Sequence, residues 1–261
     1  MKNKLSVLTI TKNVANVLEK SLRSVEELAD EIIIIDNYSK DQTVNIAKKY
    51  FAKIYLNREE DFGKQKAFGL YKAVNEWILV LDSDEIVSKE LSKEIKKLLS
   101  QKIVSNDGFY IKYQNHFLGK KIFFGGESYQ KLRLFRKSEA IIKPALVHEE
   151  FFLKSHNIGS LKHKIFHYSY RSIPQIYKKF TVYAIKEAQK KIAKGDKTNF
   201  EKILLYPAHM FWCRYVKEKG YRDGILRILL DLGFTYMEFL SYFLMIFIRK
   251  YKYENIKDKP K

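Results

Sequence analysis

Three features of the 261-residue sequence predict an α/β protein with a mostly parallel sheet flanked by helices. Strand-like and helix-like segments alternate four times before residue 85, the rhythm of a doubly wound sheet. Two of the strand segments, Ile32–Ile35 and Trp77–Leu81, are uninterrupted apolar runs, which read as strands covered on both faces. Both runs stop on acids, at Asp36 and at Asp82-Ser83-Asp84-Glu85, and open α/β sheets bind ligands just beyond the carboxyl ends of such strands.

The elements follow in order. Leu5–Ile10 is β-branched and apolar, a first strand. After Thr11-Lys12-Asn13 the apolar residues Val14, Val17, Leu18, Leu22 and Val25 recur at helical spacing. Glu31–Asp36 is the second strand, and Asp41 is placed to cap a helix over 42–50. Ala52–Leu56 is a third strand; a loop containing Phe62-Gly63-Lys64-Gln65-Lys66 leads into a further helix and then into the Trp77–Leu81 run. Ser88–Leu99 is an amphipathic helix. Beyond it Gly108–Tyr113, Lys131–Arg136 and Lys164–Tyr168 read as strands without long helices between them, a mixed or antiparallel extension. Residues 173–194 and 207–250 are helical, the latter basic and aromatic. These changes of rhythm divide the chain into 1–105, a ligand-binding half; 106–172, a second half of the same domain; and 173–261, a helical C-terminal extension.

Composition narrows the function. One cysteine, Cys213, excludes an internal disulfide and a cysteine-based zinc cluster. A formal net charge of +19 attracts phosphate on nucleotides, nucleic acid or anionic membranes. No nucleic-acid-binding signature is present, so nucleic acid is not an expected partner, although a basic nucleic-acid-binding protein is the rival of a different class. The first strand carries no glycine-rich phosphate loop, which argues against a nucleotidyltransferase. Met1-Lys2-Asn3-Lys4 runs straight into a strand, so no signal peptide is expected. The long apolar stretch Ile225–Ile248 is interrupted by Arg227, Asp231 and Glu238, which suits a helix lying in a membrane interface better than one crossing it.

Thr11-Lys12-Asn13, the Ile32–Asp36 strand with Ser39 and Asp41, Gln65-Lys66 and Asp82-Ser83-Asp84-Glu85 form an ordered set that resembles family 2 inverting glycosyltransferases of the GT-A fold. Leu132–Arg136, Val147-His148-Glu149, His167–Tyr170 and Lys219–Gly224 extend the resemblance to the lipopolysaccharide-core β-1,4-glucosyltransferase subfamily, over almost the whole chain. The pattern departs at Val14, where the subfamily has an acid, at Tyr38, where it has glycine, and at Ala67 and Gly69.

The resemblance implies a metal-dependent transferase that moves a sugar, glucose as the specific expectation, from a UDP-sugar to a glycan on a lipid A core or lipid carrier. Another cell-surface glycan or a glycoprotein is the alternative acceptor. It assigns Thr11, Asn13, Asp36, Lys66, Asp82 and Ser83 to the nucleotide-sugar, with Asp36 accepting the imide N–H of uracil. Asp84 and His167 become ligands of Mg2+ or Mn2+ on the diphosphate, whose charge grows as it leaves. Glu149 becomes the single base that an inverting displacement requires, with Glu150 as its neighbour and competitor, and His148 contacts the acceptor. Arg133 and Arg136, alternating with apolar residues, are expected to project to one polar side and hold donor or acceptor phosphate. The basic C-terminal region, with a lipid-linked acceptor, implies a peripheral protein at the cytoplasmic face of the inner membrane; a helix packed on a second subunit, a homodimer, accounts for the same residues.

Overall fold

The computed structural model describes residues 3–143 and 150–257. The chain forms two compact units, Met1–Gln114 with Ser128–Tyr168, and Asn115–Glu127 with Ser169–Lys261. Residues 106–114 and 128–168 thus fall with the N-terminal half, and 115–127 with the helical segment.

The first unit contains β1 (Leu5–Thr11), α1 (Ala15–Val25), β2 (Glu31–Asp36), α2 (Thr43–Lys49), β3 (Lys53–Leu56), α3 (Phe62–Lys72), β4 (Trp77–Val80), β5 (Glu85–Val87) and α4 (Lys89–Leu99). The chain continues through β6 (Gly108–Phe117), β7 (Lys120–Lys121), β8 (Gln130–Arg136), β9 (Ala140–Lys143), β10 (Glu150–Leu153) and β11 (Ile158–Tyr170). The main sheet runs β3-β2-β1-β4-β8-β6-β11-β5. Its first four strands are parallel, while β8 runs antiparallel to β4 and to β6, and β5 antiparallel to β11. This is the parallel sheet with a mixed extension that the sequence predicts.

The apolar runs are continuous because both faces of β2 and β4 are covered. Ile32, Ile34, Trp77 and Leu79 enter one core with α1 and α4, through Leu18, Leu22, Leu91 and Ile95. The alternate residues Ile33, Ile35, Ile78 and Val80 enter a second core with Leu70 of α3 and Leu153 of β10. Burying each such side chain contributes roughly 1.5–3 kcal/mol, so the central strands anchor the unit. Glu31 at the start of β2 is buried against this core. Burial pushes its carboxyl up, but Lys53 Nζ at 2.8 Å, the Ser6 hydroxyl at 2.5 Å and the Val74 N–H hold it below the usual range.

Two local expectations are corrected. The Phe62–Lys66 loop is the first turn of α3, because Asp61 caps it by accepting the Lys64 N–H at 3.1 Å. Asp41 does not occupy the cap of α2; it lies one residue earlier and accepts the Thr43 N–H at 3.0 Å and the Ala15 N–H at 3.1 Å, tying α2 to α1.

The second unit holds three long helices, α5 (Ile173–Ala193), α6 (Phe200–Phe211) and α7 (Arg227–Lys257), with a π-helical turn at Trp212–Lys217 and a 3-10 turn at Gly220–Asp223. α6 begins seven residues before Pro207, with Asn199 accepting the Lys202 N–H as its cap. α7 packs along both α5 and α6. The span Arg227–Ile248 is long and apolar enough to cross a membrane by length and composition. Its N-terminal turn, however, carries a buried ion cluster. Arg227 bonds Asp223 (2.9 Å) and Asp231 (3.0 Å), Arg214 bonds Asp231 (3.1 Å), and the Arg214 guanidinium also reaches Glu127. Arg227, one of the charges that interrupt the apolar stretch, is 1% exposed.

Candidate active site

The acidic stretch that ends β4 closes into a four-residue turn. The Glu85 N–H donates to the Asp82 carbonyl at 3.0 Å, and the Asp82 N–H donates to the Glu85 carboxylate at 2.9 Å. The turn reverses the chain into β5, whose residue Glu85 lies opposite His167 of β11. The Tyr168 N–H donates to the Asp84 carbonyl at 3.0 Å and fixes the register. This pairing sets Asp84 Oδ1 3.6 Å from His167 Nε2. Two residues separated by 83 positions in the chain, both expected as metal ligands, are therefore side by side. Tyr129 reaches the other ring nitrogen of His167 at 3.4 Å, and Tyr113 packs edge-on against the ring.

Asp82 has different company. Lys66 Nζ lies 2.9 Å from one of its oxygens and Arg133 Nη2 2.7 Å from the other. Arg133 also bonds Glu85 at 2.9 Å and the Tyr113 hydroxyl at 2.5 Å. Burial pushes the Asp82 carboxyl up, but Arg133 and Lys66 hold it well below the usual carboxylate range. Glu85, deeper and sharing the same arginine, is raised by its burial. Burial works against the charge on Arg133 too, yet the two acids keep it firmly protonated. Lys66 is 1% exposed, so it is a specific partner of Asp82 rather than one of the many solvated lysines.

A second cluster gathers where β1 and β2 end. Asp36 is fully buried; it accepts from the Thr11 hydroxyl (2.7 Å), the Ser39 hydroxyl (2.6 Å) and the Ser39 N–H (2.7 Å). Asn13 accepts the Lys40 N–H at 2.7 Å, and its own N–H donates to Ser39 at 2.8 Å, which ties the two strand-end loops together. Asn13 and Tyr38 both adopt left-handed backbone, at φ 53° and 51°. Asn tolerates that region, whereas Tyr38 occupies it at a steric cost, where the resembled family has glycine. The Tyr38 ring is exposed and stacks under the Arg58 guanidinium at 4.6 Å. The sequence marks Tyr38 only as a departure from the family's glycine and assigns no role to it or to Arg58.

Arg133 and Arg136 do not share a side. Three residues apart on a strand of period two, they must face oppositely. Arg133 enters the acidic cluster; Arg136 bonds Asp107 at 3.2 Å and lies over the Trp77 ring at 4.7 Å, a structural role. Ser83 is half-buried between the two aspartates. The expected base Glu149 and its neighbour His148 lie outside the described residues. Phe151 and Phe152, which follow closely in the chain, line a cleft of about 660 Å3 with Tyr110, Tyr129, Lys131 and His156, and Arg133 contributes to its wall.

No group of three metal-ligating side chains occurs among the described residues. Asp84 offers the carboxylate oxygen that a hard divalent ion prefers, and His167 an imidazole nitrogen, a common metal ligand; an ion so held completes its shell with substrate phosphate and water.

Residues 6–159 match glycosyl transferase family 2. An uncharacterized glycosyltransferase of Rickettsia typhi is 31% identical over 229 residues, covering 80% of this chain and 74% of the relative. Among solved structures, S. aureus TarS superposes with a TM-score of 0.50 at 16% identity, over 92% of this chain and 54% of that one. Glucosyl-3-phosphoglycerate synthase from Mycobacterium tuberculosis, solved with Mn2+, UDP and glucosyl-3-phosphoglycerate, covers 44% of each chain at 20% identity and a TM-score of 0.36. The chain thus spans about half the length of each of these solved chains. A mixed α/β sheet of GT-A type, with acids at the end of its central strand, defines the class of protein. The chain belongs to glycosyl transferase family 2 and is a glycosyltransferase.

Proposed function

We propose that the protein transfers a sugar, with glucose as the specific reading, from a UDP-sugar to a glycan carried on a lipid, with inversion and with a divalent cation. The observation that carries this reading is the juxtaposition of Asp84 and His167 at the end of the central sheet. In an inverting displacement the acceptor hydroxyl oxygen forms the new bond to the anomeric carbon as the bond from that carbon to the diphosphate oxygen breaks. The hydroxyl proton passes to a base, and UDP departs with the bonding electrons.

Each residue has a part in this reading. Asp84 and His167 hold Mg2+ or Mn2+, which when bound would neutralise charge gathering on the diphosphate. Asp82, kept ionised by Lys66 and Arg133 and still partly exposed, accepts a ribose hydroxyl of the donor. Asp36, expected from the resemblance to accept the imide N–H of uracil, has its carboxylate buried and taken up by Thr11 and Ser39. In this reading it braces them around the uridine, and Tyr38 with Arg58 forms the outer wall of that pocket. Glu149 takes the acceptor proton, a role that its closeness in the chain to the aromatic residues of the cleft supports. The cleft then receives the acceptor, its rings covering the apolar faces of sugars and Lys131 meeting an anionic group.

The test is a UDP-release screen of several UDP-sugars with Mn2+, with and without truncated lipopolysaccharide core or lipid-linked acceptors. Acceptor-stimulated UDP release that falls by at least about 100-fold in Glu149→Gln is the expected result. Release of pyrophosphate, or full turnover in Glu149→Gln, would refute the reading.

A further inference from the structure

The second unit carries a surface that the transfer chemistry does not use. Between α6 and α7 the chain passes through the π-helical turn at Trp212–Lys217 and the 3-10 turn at Gly220–Asp223. Along it Trp212, Val216, Tyr221, Ile225 and Leu226 are all exposed, Ile225 to 77% and Trp212 to 50%. Clustered apolar exposure of this kind marks an interaction site rather than ordinary surface.

The turn is firmly anchored. The Asp223 carboxylate accepts the N–H groups of Phe123 (3.0 Å) and Phe124 (3.0 Å), and Arg227 bonds both Asp223 and the Phe124 carbonyl at 2.9 Å. The Gly125 N–H donates to the Glu218 carbonyl at 2.8 Å. These bonds also bring exposed Phe123 beside the turn. The apolar tips are therefore held outward rather than left free to fold back.

Charge identifies the partner. Lys217, Lys219 and Arg222 are exposed on the turn, and Lys120 and Lys121 are exposed on β7 close to Phe123. Against these five cations stands Glu218, since Asp223 is neutralised by Arg227. A symmetric dimer through this patch would set the same cations against each other. A nucleic-acid backbone would satisfy the cations but leave Ile225 and Leu226 without a partner. A bilayer with anionic headgroups satisfies both, with cations at the phosphates and apolar tips at the acyl boundary.

We propose that the 212–226 turn, with Phe123 beside it, docks the protein on an anionic lipid surface. This assignment does not depend on the transfer reaction. It places the contact on a rigid turn ahead of α7 rather than on the lysine-rich end of the chain.

The tryptophans supply the measurement. Trp77 is 1% exposed and silent to solvent, so emission changes report Trp212. The full chain is titrated with vesicles of phosphatidylglycerol and phosphatidylcholine carrying brominated acyl chains, and with phosphatidylcholine vesicles alone. The expected result is a blue shift and quenching on the anionic vesicles, reversed by salt and absent on the neutral ones. The triple variant Lys217→Gln/Lys219→Gln/Arg222→Gln should bind roughly 100-fold more weakly, at about fivefold per charge. Ile225→Ser/Leu226→Ser should lose most binding with an unchanged urea midpoint. Unquenched Trp212 on anionic vesicles would overturn the proposal for the wild-type chain itself, whatever the variants do. So would equal binding of the triple variant, or a concentration-dependent dimer that Ile225→Ser/Leu226→Ser dissolves.

Discussion

Arg133 bridges the two carboxylates that open and close the acidic turn, with Asp82 at 2.7 Å and Glu85 at 2.9 Å. Glu85 is 1% exposed, so removing its cation leaves a charge that water cannot solvate. Arg133→Met should cost about 3–5 kcal/mol in urea unfolding, the usual penalty for stranding a buried charge. Arg133→Met/Glu85→Met should recover most of that loss, because the stranded charge is removed with its partner. Equal stability of Arg133→Met and wild type would show that the triad does not hold the turn. At this scale the sequence was uneven. Asp82, Asp84 and Lys66 were legible from the order of motifs, and their proximity to His167 and Arg133 agrees with that order. The bond from Thr11 that closes over Asp36 and the pairing of Arg136 with Asp107 were not, because both join residues distant in sequence.

The pairing of β5 with β11 makes the site. Val87 lies opposite Ile165 and Glu85 opposite His167, so a shift of one residue would turn His167 away from Asp84. Periodicity exposed most elements of the first unit, because strands buried on both faces leave uninterrupted apolar runs. It did not expose β5, three residues long and defined by its partner. Nor did it distinguish the start of α3 from a loop, since Phe62-Gly63-Lys64 has no helical periodicity and only the Asp61 cap reveals the start. The 115–127 segment was equally hidden, its place being fixed by bonds to the distant 214–227 turns. Gly125 shows why that segment is specific. Its φ is +65°, and a Cβ there would lie 2.0 Å from Arg227 Nη2. Gly125→Ala should therefore lower stability by roughly 2 kcal/mol or more, through backbone strain and displacement of a packed side chain. A thermal melt within a degree of wild type would contradict the close approach.

Across the whole molecule, a large positive charge coexists with an acidic turn in which Lys66 and Arg133 offset Asp82 and Glu85, and Asp84 faces His167. The net +19 favours attraction to phosphates of every kind, and local geometry selects which of them is handled chemically. Family membership establishes the glycosyltransferase class, and in the proposed function Asp84 and His167 make donor binding depend on a divalent cation. Calorimetric titration of UDP into the protein, with and without Mn2+, tests this directly in wild type and Asp84→Ala. Wild type should bind UDP at least about tenfold more tightly with Mn2+, a gain of about 1.4 kcal/mol, and Asp84→Ala should lose that gain while still folding. UDP affinity that ignores Mn2+ in wild type, or a metal effect that survives in Asp84→Ala, would contradict the account.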